Sequence, residues 1–200
     1  EFAGINLSNE SSHCVATGYG RISVPYADKT VTEITCHALG AVHLFQHPDL
    51  TVIDIGGQDT KIIQIEQGFV KDFIMNDKCA AGTGRFLEVM ANTLSLRPNE
   101  MFDLARLGSD TTISSMCTVF AESEVIGLIG KGEPKENIAY AVVNSTIRKV
   151  AAQVSRMNGE MFAFCLTGGL CECDYIPFGT IEITHSSQSG ISRIDNISAK

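Results

Sequence analysis

The segment Thr51-Val-Ile-Asp-Ile-Gly-Gly-Gln-Asp-Thr-Lys61 predicts a buried β-strand that runs into a Gly-Gly turn. Residues 61–65 predict the returning strand of a hairpin, and residues 70–75 predict a third strand. A further apolar strand over residues 161–166 also runs into a glycine pair, in Thr167-Gly168-Gly169. Because α/β sheets bind ligands where their strands end, both glycine junctions are candidate ligand positions.

Apolar residues recur at the helical period in four other parts of the chain. They predict helices over residues 31–45, 82–96, 118–129 and 135–157, the second of which ends before Pro98. The order of strand, hairpin, helices and strand predicts an α/β fold.

The composition is that of a globular protein, since 44% of the 200 residues are apolar and 18 are glycine. The net charge of −8 contains no long run of one sign, so neither nucleic acid nor a membrane surface is an expected partner. No apolar run reaches the roughly 18 to 20 residues of a membrane span. Residues 1–12 lack the pattern of a secretory leader, so we expect a cytoplasmic protein. In that reducing compartment the seven cysteines are expected as thiols or ligands.

The loop after the first strand contains the groups that a phosphate and Mg²⁺ site requires. Gly56 and Gly57 let backbone N–H groups approach phosphate oxygens, and Asp54 and Asp59 supply carboxylates for the metal or its waters. Lys61 adds a cation. A Gly-Gly pair followed by Asp is also a common tight turn, so an ordinary hairpin is the alternative interpretation. The chain contains no G-x-x-x-x-G-K-[ST] sequence, which excludes a P-loop.

Cys79 and Cys117 are each predicted at the N-terminal end of a helix. There the free N–H groups and the helix dipole favour a thiolate over a thiol. Two cysteines cannot supply the four thiolates that a [4Fe-4S] cluster normally takes, but a two-fold dimer doubles their number.

The remaining cysteines and the histidines have simpler interpretations. Core or near-core positions are expected for Cys14, Cys36 and Cys165. A metal site in residues 171–173 is not favoured, because its two cysteines are closer together than the usual zinc spacing. His37 and its neighbouring histidines are expected at the surface.

Four strings carry a resemblance to a known family: DIGGQDTK at 54–61, NDKCAAGTGRFLEVMA at 76–91, CTVFAESEV at 117–125 and TGG at 167–169. In this order and spacing they resemble the activator component of 2-hydroxyacyl-CoA dehydratases, in a family that includes the ATPase subunits of benzoyl-CoA reductase. ATGYGR and EITCHALGA, nearer the start, agree with it. The resemblance covers residues 14–175.

This resemblance implies an actin-like ATPase of the acetate kinase, sugar kinase, Hsp70 and actin type, with a ribonuclease H-like fold. It also implies a homodimer that binds ATP or ADP with Mg²⁺ and holds one [4Fe-4S] cluster between its subunits. Such a protein takes an electron from ferredoxin or flavodoxin and passes it to the dehydratase. ATP binding and hydrolysis would alter the angle between the cluster-bearing helices.

The resemblance also assigns roles to individual residues. Cys79 and Cys117 resemble the cluster ligands, and residues 82–84 are expected to let the cluster helix approach the nucleotide or the partner subunit. Gln58 or Asp59 is expected to position the attacking water. The phosphate and Mg²⁺ loop is matched by Asp54, Gly56, Gly57, Gln58 and Asp59, and the adenosine turn by Gly168 and Gly169.

Both ends of the chain differ from the family pattern. An opening strand with an Asp-x-Gly-Ser/Thr loop is not found, and residues from Pro177 onward do not match the family's closing segments. We therefore expect an actin-like fold that is incomplete at both ends. Its expected parts are a remnant of the N-terminal lobe at 1–50, an ATPase and cluster-bearing domain at 51–176 and an atypical tail at 177–200.

Two other functions are compatible with the same residues. One is a kinase or acyl-activating ATPase of the same fold without a cluster. The other is a truncated, non-catalytic fragment that dimerises or docks to a dehydratase without turning over ATP.

Overall fold

A four-stranded sheet lies at the centre of the protein, in a computed structural model that describes residues 13–76, 80, 82–114, 117–157 and 163–169. The strands are, in chain order, β1 (Val15–Ala16), β2 (Lys29–Thr30), β3 (Leu50–Ile55), β4 (Thr60–Glu66), β5 (Phe69–Asn76) and β6 (Ala163–Thr167). The central sheet has the order β5-β4-β3-β6, with β6 parallel to β3 and the other neighbours antiparallel. Strands β1 and β2 form a separate parallel pair, and a 3-10 helix at Tyr19–Ser23 lies between them in sequence.

The described residues contain five α-helices, which confirm the predicted α/β fold. They are α1 (Glu33–Phe45), α2 (Gly84–Thr93), α3 (Pro98–Ala105), α4 (Thr118–Gly130) and α5 (Lys135–Val154). Four of them were predicted, and α3 was not. Pro98 occupies the first position of α3, where its missing N–H needs no partner, and Glu100 accepts the Arg97 N–H at 2.8 Å. Among the same residues, no helix is both long and apolar enough to cross a lipid bilayer.

Strands β3 and β4 send alternate side chains to two buried faces. Leu50 and Val52 of β3 and Ile63 of β4 pack with α1 on one face. Ile53 and Ile62 pack on the opposite face, against the other four helices. Every residue of β3 is buried, as expected for a strand that is covered on both sides.

The larger core lies between the sheet and helices α2 to α5. Phe86 and Met90 of α2 and Met101 of α3 are each at most 1% exposed there. Burial of one such side chain stabilises the folded state by about 1.5–3 kcal/mol. This packing holds α2 against the sheet and thereby sets the position of its first turn.

The smaller core under α1 contains Cys165, which confirms its predicted core position. Burial raises the pKa of its thiol to about 12. The same prediction is wrong for Cys36, which is exposed, while Cys14 is half-buried. The reason is the helical period: α1 buries Ile34 and Ala38, so the side chain of Cys36 lies on the outer side of the helix.

The predicted domain boundaries at residues 50 and 176 stay a prediction. The tail at 177–200 lies outside the residues that the structure describes, as do Cys79, Cys171 and Cys173.

Gly108 lies after α3, where the chain meets the first turn of α5. A Cβ at this position would lie 2.1 Å from the carbonyl oxygen of Glu136, so Gly108→Ala forces two backbone segments apart. We expect the free energy of unfolding, measured by urea denaturation, to fall by about 1–3 kcal/mol. Gly127→Ala is the control, because a Cβ in that part of α4 meets nothing within 4 Å. Alanine there should leave stability unchanged or raise it by up to about 1 kcal/mol. Equal stability of the two variants would contradict the close approach of Gly108 to α5.

Candidate functional site

Asp54 and Lys61 face α1 from neighbouring strands. They lie opposite each other in the register of β3 and β4. Each is two residues from a side chain that packs against α1, namely Val52 and Ile63, so alternation places both on that face. Asp54 is 6% and Lys61 8% exposed, so a charged pair lies largely out of water at this end of the sheet.

The Lys61 ammonium contacts three carboxylates. Its Nζ lies 2.7 Å from Asp59 Oδ1, 3.1 Å from Glu33 Oε1 and 3.5 Å from Asp54 Oδ2. Burial alone lowers the pKa of Lys61, but hydrogen bonds to Asp59 and Glu33 and the charge of Asp54 outweigh burial and raise this pKa above its usual range. Lys61 therefore stays charged at neutral pH. Three carboxylates against one ammonium leave an excess of two negative charges.

This excess charge fits a divalent cation. In nucleotide sites Mg²⁺ is typically held by one or two carboxylates, while waters and phosphate oxygens complete its shell. Asp54 and Asp59 meet that requirement, because both lie at the strand end beside the glycine loop. Within the described ranges, no three His, Cys, Asp or Glu side chains form a metal-binding group by themselves. A cation at this site would thus depend on water and phosphate for most of its ligands.

The glycine loop between β3 and β4 is closed by a backbone hydrogen bond at Gly56 and is open to solvent on the side of Gly57. The Gly56 N–H donates to the Asp59 carbonyl at 2.9 Å, which closes the turn. A Cβ on Gly56 would lie 3.0 Å from Asp59 Oδ1, whereas a Cβ on Gly57 would meet nothing within 4 Å. Gln58 is exposed at the tip. The loop thus has free space on the side of Gly57, where a phosphate group can approach.

The first turn of α2 binds this loop. The Gly84 N–H donates to the Gly56 carbonyl at 2.9 Å, and the Arg85 N–H donates to the Gly57 carbonyl at 2.8 Å. A Cβ on Gly84 would lie 3.2 Å from the Gly56 oxygen and from the Gly57 Cα, so glycine permits this approach. Residues 82–84 were predicted to let the cluster helix approach the nucleotide or the partner subunit. In the structure, Gly84 lets the first turn of α2 approach the glycine loop.

The end of β6 lies beside Asp54, so the structure brings the two predicted glycine junctions together. Thr167 is the register partner of Asp54, and its hydroxyl donates to Asp54 Oδ1 at 2.8 Å. Gly168 has φ of 91°, and a Cβ there would lie 2.4 Å from the Ile55 carbonyl oxygen. Only glycine fits this position. Gly169 is exposed, with nothing within 4 Å of where a Cβ would lie.

Two side chains of α1 complete the site, and neither was predicted as a site residue. Glu33 contacts Lys61, and the His37 Nε2 lies 2.9 Å from the Thr167 hydroxyl oxygen. The predicted surface position of His37 is confirmed only in part, since its side chain is 26% exposed and also contacts Thr167. The available signal was the spacing of Glu33 and His37, which places them on one helix face.

Cys117 is exposed at the N-cap of α4, which confirms its predicted position at a helix end. Val119 and Phe120 beside it are also exposed, at 67% and 68%. Helix α4 packs on α2, and the Thr93 hydroxyl of α2 lies 3.3 Å from Glu122 Oε1 of α4. An exposed sulfur at the positive end of a helix fits the requirements of a thiolate ligand.

Known proteins match both the sequence and the fold. The chain matches the family described as BadF/BadG/BcrA/BcrD ATPase over residues 2–179. It is 48% identical over 163 residues to the (R)-2-hydroxyglutaryl-CoA dehydratase activating ATPase of Acidaminococcus fermentans, a match that covers 79% of this chain and 61% of the relative. It is 44% identical over 174 residues to the activator of lactoyl-CoA dehydratase of Anaerotignum propionicum, which covers 86% of this chain and 66% of that relative.

Two solved structures agree with these matches. Component A of the Acidaminococcus fermentans dehydratase superposes with a TM-score of 0.70 at 46% identity, covering 78% of this chain and 60% of that one. The activator of the 2-hydroxyisocaproyl-CoA dehydratase from Clostridium difficile, solved with bound ADPNP, superposes with a TM-score of 0.69 at 41% identity, covering 78% of this chain and 58% of that one.

This chain spans about three fifths of the length of the activating ATPase and of component A. The α/β architecture matches that of component A, in agreement with the sequence resemblance. On the match over residues 2–179, the chain belongs to the BadF/BadG/BcrA/BcrD ATPase family.

Proposed function

We propose that this chain is the nucleotide-binding part of an ATP-dependent activator of a 2-hydroxyacyl-CoA dehydratase. The relatives described above are named as activators of such dehydratases, and one similar structure was solved with ADPNP. The observation that carries the proposal is the meeting of the two glycine junctions beside Asp54. Together the two junctions form one site at the end of the sheet, with charged side chains on one side and free space beside Gly57 on the other.

In this proposal ATP or ADP binds with its phosphates at the loop of Gly56 and Gly57 and with its nucleoside beside Gly168 and Gly169. Asp54 and Asp59 hold Mg²⁺ or its waters, and Gln58 or Asp59 positions the attacking water. Lys61 neutralises part of the carboxylate charge and keeps those groups together. Phosphoryl transfer depends mainly on positioning and charge stabilisation, which are the contributions proposed for these groups.

We further propose that Cys79 and Cys117 of two copies in a homodimer bind one [4Fe-4S] cluster. When bound, this cluster supplies one-electron chemistry, in which an electron from ferredoxin or flavodoxin is passed to the dehydratase. Cys117 occupies the N-cap of α4, beside the free N–H groups of the first turn. The exposure of Cys117 supports this proposal, while Cys79 lies outside the described residues.

We propose that this protein works in the cytoplasm.

The contacts of α2 offer a route between the two sites. The first N–H groups of α2 bind the loop carbonyls of Gly56 and Gly57, and α4 packs on α2. A change in the loop upon ATP hydrolysis would therefore move α2 and, with it, the helix that begins after Cys117.

Gly57→Ala tests the nucleotide site, because it fills open space at the loop without a clash in the nucleotide-free protein. We expect the dissociation constant for Mg-ADP, measured by isothermal titration calorimetry, to rise about tenfold or more, equivalent to about 1.4 kcal/mol. Gly127→Ala is the matched control, since a Cβ there also meets nothing within 4 Å and the residue lies on α4, outside the proposed nucleotide site. An unchanged dissociation constant in Gly57→Ala would place the phosphates elsewhere. Absence of binding by the wild type at millimolar nucleotide would favour the non-catalytic fragment.

Cys117→Ala tests the cluster. After anaerobic reconstitution with iron and sulfide, the wild type should bind about four irons per dimer, and Cys117→Ala and Cys79→Ala should lose them. Cys36→Ala is the control, because Cys36 is also exposed but is not a proposed ligand. Iron content that is unaffected by Cys117→Ala would reject the ligand assignment. Nucleotide binding without any iron would favour the cluster-free ATPase.

A further inference from the structure

We propose that His37 is a positioning residue of the nucleotide site, acting on Asp54 through the hydroxyl group of Thr167. This inference rests on the proposed nucleotide function. It assigns to α1 a part in orienting the carboxylate that is proposed to hold Mg²⁺.

The direction of the hydrogen bonds follows from a count of protons. The Thr167 hydroxyl has one proton, which it donates to Asp54 Oδ1 at 2.8 Å. At its 2.9 Å contact with His37, Thr167 can then only accept, so Nε2 of His37 must carry a proton. The result is a directed chain from His37 Nε2–H to the Thr167 hydroxyl and on to the Asp54 carboxylate.

This chain fixes the orientation of Asp54. The Oδ1 atom accepts from Thr167, while Oδ2 lies 3.5 Å from the Lys61 ammonium. The two oxygens are thus held by different partners, which restricts rotation of the carboxylate. His37 itself is 3.9 Å from Oδ1, beyond direct hydrogen-bond range, and so acts through Thr167.

Both partners of the carboxylate are themselves held by α1. Glu33 lies one helical turn before His37 and contacts Lys61 at 3.1 Å. Thr167 directly precedes Gly168, which lies against the Ile55 carbonyl. The hydrogen bond from His37 therefore fixes the end of β6 as well as Asp54. One side chain thus stabilises both the proposed phosphate-binding side of the site and its proposed nucleoside-binding side.

The first experiment measures Mg-ADP binding to variants of the full chain by calorimetry. His37→Leu keeps much of the side-chain volume and removes the donor, and we expect about a tenfold rise in the dissociation constant. The amide nitrogen of His37→Gln can reach the position of Nε2 and should restore affinity to within about threefold of the wild type. His43→Leu, at an exposed histidine of the same helix, is the control and should leave affinity unchanged.

A double-mutant cycle separates positioning from a general structural effect. In a Thr167→Val background, His37→Leu should cause less than about a twofold further loss, because the hydroxyl through which His37 acts has been removed. A full tenfold loss in that background, or unchanged affinity in His37→Leu alone, overturns the proposal. Absence of Mg-ADP binding by the wild type would instead overturn the nucleotide site itself.

A second measurement does not depend on nucleotide. The ¹⁵N chemical shifts of the His37 ring, recorded in the nucleotide-free chain with the ring neutral, should report a proton on Nε2. Thr167→Val, which removes the acceptor, should shift the Nε2 signal as this nitrogen loses its hydrogen-bond partner. A neutral ring with its proton on Nδ1 in the wild type overturns the proposal, whatever the binding data.

Discussion

The contact of one buried ammonium with three carboxylates holds the site together. Lys61 lies on β4, Asp54 on β3, Asp59 in the loop between them and Glu33 on α1. Removing one partner from a buried ion pair typically costs about 3–5 kcal/mol, because the remaining charge is left without compensation. The Lys61 ammonium therefore connects two strands, the loop between them and helix α1.

The loop that this cluster supports is also held from the opposite face of the sheet. The first N–H groups of α2 bind the carbonyls of Gly56 and Gly57, and the core fixes α2 through Phe86 and Met90. The loop carbonyls are thereby directed toward α2, which leaves the side of Gly57 open. Electrostatics on one face and apolar packing on the other thus define a single conformation of a loop that contains two glycines.

The amino-acid sequence was sufficient for the fold and for the two glycine junctions, because both depend on local pattern. Apolar alternation and helical period act over a few residues, and they located β3, β4 and four of the helices. Helix α3 was missed because Pro98 signals both the end of one helix and the start of another. The role of His37 depends on a contact with Thr167, 130 positions further along the chain, and no local pattern reports such a distance. The spacing of Glu33 and His37 shows that they share a helix face, but it does not show that this face meets Lys61 and Thr167.

The exposed position of Cys117 makes its sulfur accessible both to a redox partner and to oxidants. A sulfur at the tip of α4 can be approached closely by a docking redox protein, and electron tunnelling is fast only over short gaps. Dioxygen and peroxide reach the same atom just as easily, and an exposed cysteine sulfur is open to oxidation to a sulfenic acid. Cys165, sealed beneath α1, is protected from both. In the role proposed above, the protein can work only where oxidants are kept away.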